Sequence, residues 1–166
     1  QGQFIEATIK SVIGQQYPNL EYIVCDGGST DETVEILKKY ADKITWWCSE
    51  KDNGQSDAIN KGMHRATGDI VCWINSDDVL LPGTLLTVAK FFHDHPDTDF
   101  ANGYTVEIDK EGKIINFTHI VMNHFFFRHG CYNISQPGMF WKRKIFDKIG
   151  YLDESFHAKM DVEWLI

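Results

Sequence analysis

Asp69-Ile70-Val71-Cys72-Trp73-Ile74-Asn75-Ser76-Asp77-Asp78 reads as a buried, apolar β-strand that runs straight into two adjacent carboxylates. Neighbouring Asp side chains repel each other, so a fold that sets them at a strand end must offset that repulsion. A hard divalent cation does so: Mg²⁺ and Mn²⁺ take oxygen ligands and are often held by one or two carboxylates together with substrate phosphates. The stretch is therefore expected to hold a metal-bound diphosphate, and the rest of the chain to supply a base pocket and a catalytic group.

Upstream, Ile5, Ile9, Val12 and Ile13 recur at helical spacing, which predicts an amphipathic helix over 3–15, ended by Tyr17-Pro18-Asn19. Glu21 to Cys25 reads as a short buried strand that ends in the turn Asp26-Gly27-Gly28. Ser29-Thr30-Asp31-Glu32 matches a capping box, with Ser29 as N-cap of a helix through Val34, Leu37, Tyr40 and Ala41. A strand over Thr45 to Ser49, a turn at Lys51-Asp52-Asn53-Gly54 and a helix over 56–66 follow, with Gly68 as its C′ residue.

Downstream of the acid pair, Pro82 suits the first turn of a helix whose core face is Leu85, Leu86, Ala89 and Phe92, closed by Pro96. Phe100 to Ile108 and Lys113 to Thr118 flank Asp109-Lys110-Glu111-Gly112 as a β-hairpin. Residues 119–138 show no clear period. Trp141 to Ile149 reads as a short helix, and Asp161 onward as another. Alternating strands and helices predict an α/β domain: a mainly parallel sheet flanked by helices, with a small hairpin. Ligands of such sheets bind at the carboxyl ends of strands. Asp26 and Asp77-Asp78 both fall there.

At 166 residues the chain suits one domain, 1–166, with a core of its own. Hydrophobic residues at 43% and charged residues at 24% exclude a disordered chain. A net charge of −8 speaks against nucleic acid as a partner, whose phosphates want a basic face. It does not exclude nucleotides, because a metal supplies positive charge locally. Cys25, Cys48, Cys72 and Cys131 form no CxxC pair, and Cys25 and Cys72 lie in apolar runs, which suits buried thiols in a reducing cytosol. Neither a signal peptide nor an apolar run of membrane-spanning length is present. The chain opens on a helical pattern with no strand before it and closes on Trp164-Leu165-Ile166 in mid-pattern, so truncation at both ends is expected.

Asp26-Gly27-Gly28-Ser29-Thr30-Asp31 is neither a P-loop nor a GxGxxG turn, which sets aside ATP hydrolysis and NAD chemistry. An acid at a strand end can hold ribose hydroxyls or a base imide N–H; alternatively Asp26 and Asp31 only shape the turn and cap the helix. His93-x-His95 and the set His119, His124, His129 match no zinc spacing. Phe125-Phe126-Phe127 suits a core or lid segment, or contact with a lipid-linked acceptor, and the tryptophans suit the core.

Taken together, Asp26-Gly27-Gly28-Ser29-Thr30-Asp31, Ser49-Glu50-Lys51-Asp52-Asn53-Gly54 leading to Asp57-Ala58-Ile59-Asn60-Lys61-Gly62, Gly68-Asp69-Ile70 and Asn75-Ser76-Asp77-Asp78 resemble glycosyltransferase family 2 on the GT-A fold. Ser11 to Asn19 and Gln136-Pro137-Gly138-Met139-Phe140-Trp141 are similar to the same family and extend the match over nearly the whole chain. The resemblance implies an inverting transferase that moves a sugar from a nucleoside diphosphate, uridine-linked, to a hydroxyl acceptor with the help of Mn²⁺ or Mg²⁺.

It further implies that Asp26 contacts the base and that Asp52 and Asn53 line the same pocket. Asp77 would face the ribose or sugar, Asp78 would hold the metal as part of a DxD-type pair, and Asp161 would be the catalytic base, with Glu163 as the fallback. It implies a nucleotide-sugar donor, a saccharide or lipid-linked acceptor in polysaccharide or glycolipid assembly, and a cytoplasmic location with peripheral association at the inner face of a membrane. The family's first strand is missing before Gln1. The competing reading is a nucleotide-sugar-binding or scaffolding module without catalysis; the joint presence of Asp26, Asp77, Asp78 and Asp161 speaks against it, since a binder needs no base. Nucleotidyl transfer fits less well, because cations for a triphosphate are sparse near the acid pair.

Overall fold

The computed structural model describes residues 1–118, 135–155 and 164. Helix α1 (Gly2–Ile13) buries Ile5, Ile9 and Val12 along one face. Ile5 and Ile9 pack with Leu37 and Ile44, and Val24, Tyr40 and Trp47 close over them. Strand β1 (Ile23–Asp26) pairs in parallel with β2 (Trp46–Ser49), with Cys25 opposite Cys48 and Asp26 opposite Ser49. Between them runs α2 (Thr33–Lys39), which packs on α1, and after β2 comes α3 (Gln55–Arg65), which packs on β1.

The second layer of pairing is built on β7 (Met139–Lys142), which lies antiparallel between β3 (Ile70–Val71) and β4 (Phe100–Asn102). β3 and β4 therefore run parallel to each other. A separate hairpin joins β5 (Thr105–Ile108) to β6 (Ile114–Thr118). The α/β class and the hairpin follow the sequence expectation, but the pairing is not mainly parallel: among the described strands β1–β2 is a parallel ladder, whereas β3–β7, β4–β7 and β5–β6 are antiparallel, because β7 enters between β3 and β4. The core beneath β3 and β7 collects Met63, Val71, Met139, Trp141, Phe146, Leu152 and Trp164. Trp141 stacks on Trp73 with centroids 5.1 Å apart.

Several local expectations are corrected. Trp141 belongs to a strand, not to a helix; the only helix there is α5 (Phe146–Ile149), after a 3₁₀ turn at Arg143–Ile145. Met139, Phe140 and Trp141 are consecutive and all buried. A central strand covered on both faces accommodates that, whereas a short surface helix turns one of three outward. The run from Asp69 to Ile74 is a strand only at Ile70–Val71, because beyond it the Trp73 carbonyl accepts the Gln136 side chain instead of a ladder partner. The region 100–108 divides into β4 and β5 around Gly103, whose N–H donates to the Gly138 carbonyl.

The capping box does not form. Ser29 turns back to Asp26, and Asp31 takes over: its carboxylate accepts the Thr33 N–H at 3.0 Å and the Gly2 N–H at 2.8 Å, capping α2 and α1 together. Helix α3 ends with Ala66 in an extended conformation, so Gly68 is not its C′ residue. Pro82 precedes the helix rather than opening it. Leu81-Pro82-Gly83-Thr84 is a turn in which Gly83 (φ 81°, ψ 2°) takes the left-handed position, and α4 (Thr84–Asp94) starts after it. On α4 it is Phe92 that is buried, while Leu86 is 68% exposed and not part of the core face.

Gly138 has no room for a side chain, since a Cβ there would lie 2.4 Å from the Gly103 carbonyl oxygen. Gly138→Ala is expected to cost about 2–3 kcal/mol, because the obstacle is backbone and both chains must separate. Urea denaturation checks this: the midpoint should fall with an unchanged m value, and an unmoved midpoint would contradict the packing described.

Candidate functional site

Strand β1 delivers Asp26 to its carboxyl end, where the chain reverses through Gly27 and Gly28. The Asp26 carboxylate accepts the Ser29 hydroxyl at 2.6 Å, the Ser29 N–H at 3.0 Å and the Ser49 hydroxyl at 2.6 Å. Burial pushes its pKa up, but the bonds from Ser29 and Ser49 outweigh that and hold the carboxyl below its ordinary range. Asp26 is therefore an anionic acceptor at neutral pH, oriented by residues from two strand ends.

The loop after β2 leans on this turn. A Cβ on Gly27 would meet the Asp52 carboxylate at 2.5 Å, and Gly28 (φ 84°) brings the backbone up to Lys51. Asp52 accepts the Gly54 N–H at 3.0 Å, and the Asn53 N–H donates to Asp57 at 2.9 Å. The Asp52 carboxylate thus lies against the Asp26-Gly27 turn, and Asn53 next to it is exposed.

The acid pair lies past the end of β3. Asp77 is exposed and Asp78 half-buried. The Asp78 carboxylate accepts the Asn75 N–H at 3.1 Å, and the Asp78 N–H donates to the Asn75 carbonyl at 3.1 Å, closing a turn. Burial, and then the charge of Asp77, raises the Asp78 pKa against the opposing bonds from Asn75. The repulsion inferred from the sequence is thus present. Among the described residues no group of three His, Cys, Asp or Glu side chains converges to hold a metal. The hard oxygen donors of Asp77 and Asp78 fit Mg²⁺ or Mn²⁺ in the mode where phosphate oxygens and water complete the shell.

Two devices hold this turn, and neither was foreseen. Thr8, Ser11 and Gln15 lie three and four residues apart along one side of the α1 segment. The Thr8 hydroxyl donates to the Ser76 carbonyl at 2.8 Å, the Leu80 N–H donates to Ser11 at 3.0 Å, and the Gln15 amide donates to the Leu81 carbonyl at 3.0 Å. Their signal was legible: polar side chains interleaved with an apolar helix face. On the other side, Gln55 Nε2 donates to Asn75 Oδ1 at 2.5 Å, and Asn75 Nδ2 donates to Gln136 Oε1 at 3.1 Å. Gln136 Nε2 then donates to the Trp73 carbonyl at 2.7 Å.

The structure therefore brings Asp26 and Asp52 together and ties their loop, through Gln55, to the turn of Asp77 and Asp78. Asp161 and Glu163 lie outside the described residues, as do Cys131, His119, His124, His129 and Phe125-Phe126-Phe127. Trp164 is buried, with its ring 5.1 Å from Trp73 and 5.5 Å from Trp141. Burial, and then Cys48, pushes the Cys25 thiol up to about 12, and burial does the same for Cys72, as befits structural thiols. A cleft of 340 Å³ near the opposite end of β3 is lined by Asp69, His93, Lys142 and Arg143. Its cations already serve the fold: Lys142 bonds the Pro96 carbonyl and Arg143 the Gly68 carbonyl.

Comparison with known proteins places this geometry in context. The family model described as Glycosyl transferase family 2 matches residues 1–152. A PGL/p-HBAD biosynthesis glycosyltransferase of Mycobacterium bovis is 29% identical over 98% of this chain and 63% of its own length. An uncharacterized glycosyltransferase of Mycobacterium tuberculosis is 40% identical over 45% of this chain and 29% of its own. Among solved structures, S. aureus TarS 1–349 in complex with UDP superposes with a TM-score of 0.71 at 20% identity, covering 98% of this chain and 51% of that one. The mannosyltransferase PcManGT from Pyrobaculum calidifontis, in complex with GDP-Man and Mn²⁺, superposes with a TM-score of 0.71 at 19% identity, over 98% of this chain and 47% of that one. The chain spans less than two thirds of the length of each of these proteins.

Proposed function

We propose that this chain, which belongs to glycosyl transferase family 2, is the donor-binding part of an enzyme that moves a sugar from UDP to a hydroxyl acceptor with inversion and with a divalent cation. The observation that carries the reading is the physical linkage of three loops: the anionic Asp26 bonded to Ser49, the Asp52 loop packed on Gly27, and the Asp77-Asp78 turn tied to it by the Gln55–Asn75 bond. The fold is the GT-A type, and the solved neighbours carry UDP in one case and GDP-Man with Mn²⁺ in another.

In this reading Asp26, held ionised by Ser29 and Ser49, accepts the imide N–H of the base. Asp52 and Asn53 line the base pocket, Asp77 faces the ribose or sugar, and Asp78 holds the cation. A cation bound there would act as a Lewis acid on the departing diphosphate. Asp161 takes the proton of the acceptor hydroxyl as it attacks the anomeric carbon. The acceptor is a saccharide or a lipid-linked molecule, and the site of action is the cytoplasm at the inner face of a membrane. No described helix is long and apolar enough to cross a membrane.

Calorimetric titration with UDP and with GDP, each in Mn²⁺ and in EDTA, tests the donor assignment. UDP should bind more tightly than GDP, and Mn²⁺ should tighten it; equal affinities for the two, or indifference to the metal, would refute it. Gly27→Ala sharpens the test. Its Cβ meets the far end of the Asp52 side chain, which can swing away, so stability should fall by less than about 1 kcal/mol. UDP affinity should nevertheless drop about tenfold, because Asp52 is displaced from its place against the Asp26-Gly27 turn. Unchanged UDP affinity would remove Asp52 from the pocket.

A further inference from the structure

Asn75 is the hub of the acid turn. Its backbone bonds Asp78 in both directions, at 3.1 Å each way. Its carboxamide is held at both ends by glutamines remote in sequence, Gln55 through the oxygen and Gln136 through the nitrogen. A primary amide offers an acceptor on one side and donors on the other, so a chain of amides has a direction. Here the direction is set at one end. The Trp73 carbonyl can only accept, so Gln136 must present Nε2 to it and Oε1 to Asn75. Asn75 must then present Oδ1 to Gln55.

Gln136 is itself firmly seated. Gly138 lies against Gly103 too closely for a side chain, and the Ser135 carbonyl accepts both the Gly138 N–H at 3.0 Å and Asn102 Nδ2 at 3.1 Å. The Ser135 hydroxyl is bonded by Thr105 at 2.7 Å. The relay therefore runs from the Trp73 backbone carbonyl to the exposed side chain of Gln55, which follows the Asp52 loop.

We propose that Gln136 is a positioning residue for the acid pair: with Gln55 it locks the Asn75 carboxamide, and through Asn75 it holds the Asp77-Asp78 turn in the shape a cation-bound diphosphate requires. This rests on the reading of the Asp26, Asp52 and Asp77-Asp78 loops as the donor site. Groups that orient metal ligands from behind typically change metal affinity 10–100-fold when removed, while contributing nothing to contacts made elsewhere on the substrate. The bonds that orient Asp26 come from Ser29 and Ser49 and involve neither Gln136 nor Asn75, which gives the inference its signature: on loss of Gln136 metal dependence moves and metal-free recognition does not.

The test measures UDP binding to the wild-type chain, Gln136→Met and Gln55→Ala, across a Mn²⁺ titration and in EDTA. Gln136→Met should raise the Mn²⁺ concentration for half-maximal enhancement of binding by about tenfold, with UDP affinity in EDTA within about twofold of wild type. Gln55→Ala should shift the same quantity in the same direction. Because Gln55 is exposed, that variant retains the fold and decides the matter if Gln136→Met does not fold. Unshifted metal dependence, or an equal loss with and without metal, would overturn the inference while leaving the donor site in place. A wild-type chain whose UDP binding ignores Mn²⁺ would overturn the donor reading and this inference with it.

Discussion

Asp78→Asn is expected to abolish the Mn²⁺ enhancement of UDP binding, a loss of at least about 100-fold in metal-supported affinity, without lowering the melting temperature. The two effects have one cause. Asp78 is half-buried next to Asp77, and both burial and that neighbour disfavour its charge. A neutral amide of the same shape still accepts the Asn75 N–H, so the turn survives and the repulsion disappears. What is lost is the carboxylate that draws a cation. Residues placed for binding at a cost to the fold show this opposition of function and stability. Calorimetry in Mn²⁺ and in EDTA, with a melting curve alongside, reads both quantities. A variant that loses stability along with metal response would mean that Asp78 serves the turn alone.

Asp161→Asn is expected to lower transfer about 10²–10⁴-fold and to leave the donor affinity unchanged. The substitution keeps size and removes only the capacity to take a proton, so the loss should appear in kcat and not in UDP binding. The acidic limb of the pH profile, which reports the free carboxylate, should vanish with it. If turnover persists at near-wild-type rate while donor still binds, Asp161 is not the base, and Glu163→Gln becomes the variant to lose activity.

The sequence carried the parts of the site that local chemistry determines. The strand-end position of Asp26 was legible because an apolar run followed by turn residues marks a strand end, where α/β sheets bind ligands, whereas the same rule placed Asp77-Asp78 directly on a strand that in fact stops at Val71. The Gly27-Gly28 turn was legible as a place of close approach, although not that Asp52 is what approaches. What was illegible depends on partners remote in the chain. Ser29 fits a capping box on spacing alone, but its hydroxyl donates to Asp26, as does that of Ser49, and Asp31 satisfies the helix ends instead.

Trp141 looked helical because its partners, β3 and β4, lie about 70 and 40 residues upstream and leave no trace in the local period. The relay through Gln55, Asn75 and Gln136 was invisible for the same reason: each link joins segments separated by 20 residues or more. Thr8, Ser11 and Gln15, by contrast, stand at helical spacing in the sequence itself, along and just past α1.

If the loops of Asp26, Asp52 and Asp77-Asp78 serve transfer and not storage of a nucleotide-linked sugar, turnover must follow binding. The most direct measurement is UDP release from a panel of UDP-sugars by the full chain in the presence of saccharide and lipid-linked acceptors, with Mn²⁺ or with EDTA. Release that requires Mn²⁺, depends on one acceptor class and disappears in Asp161→Asn is the predicted result. Tight, metal-dependent UDP binding with no release from any donor, whatever the acceptor, would contradict it.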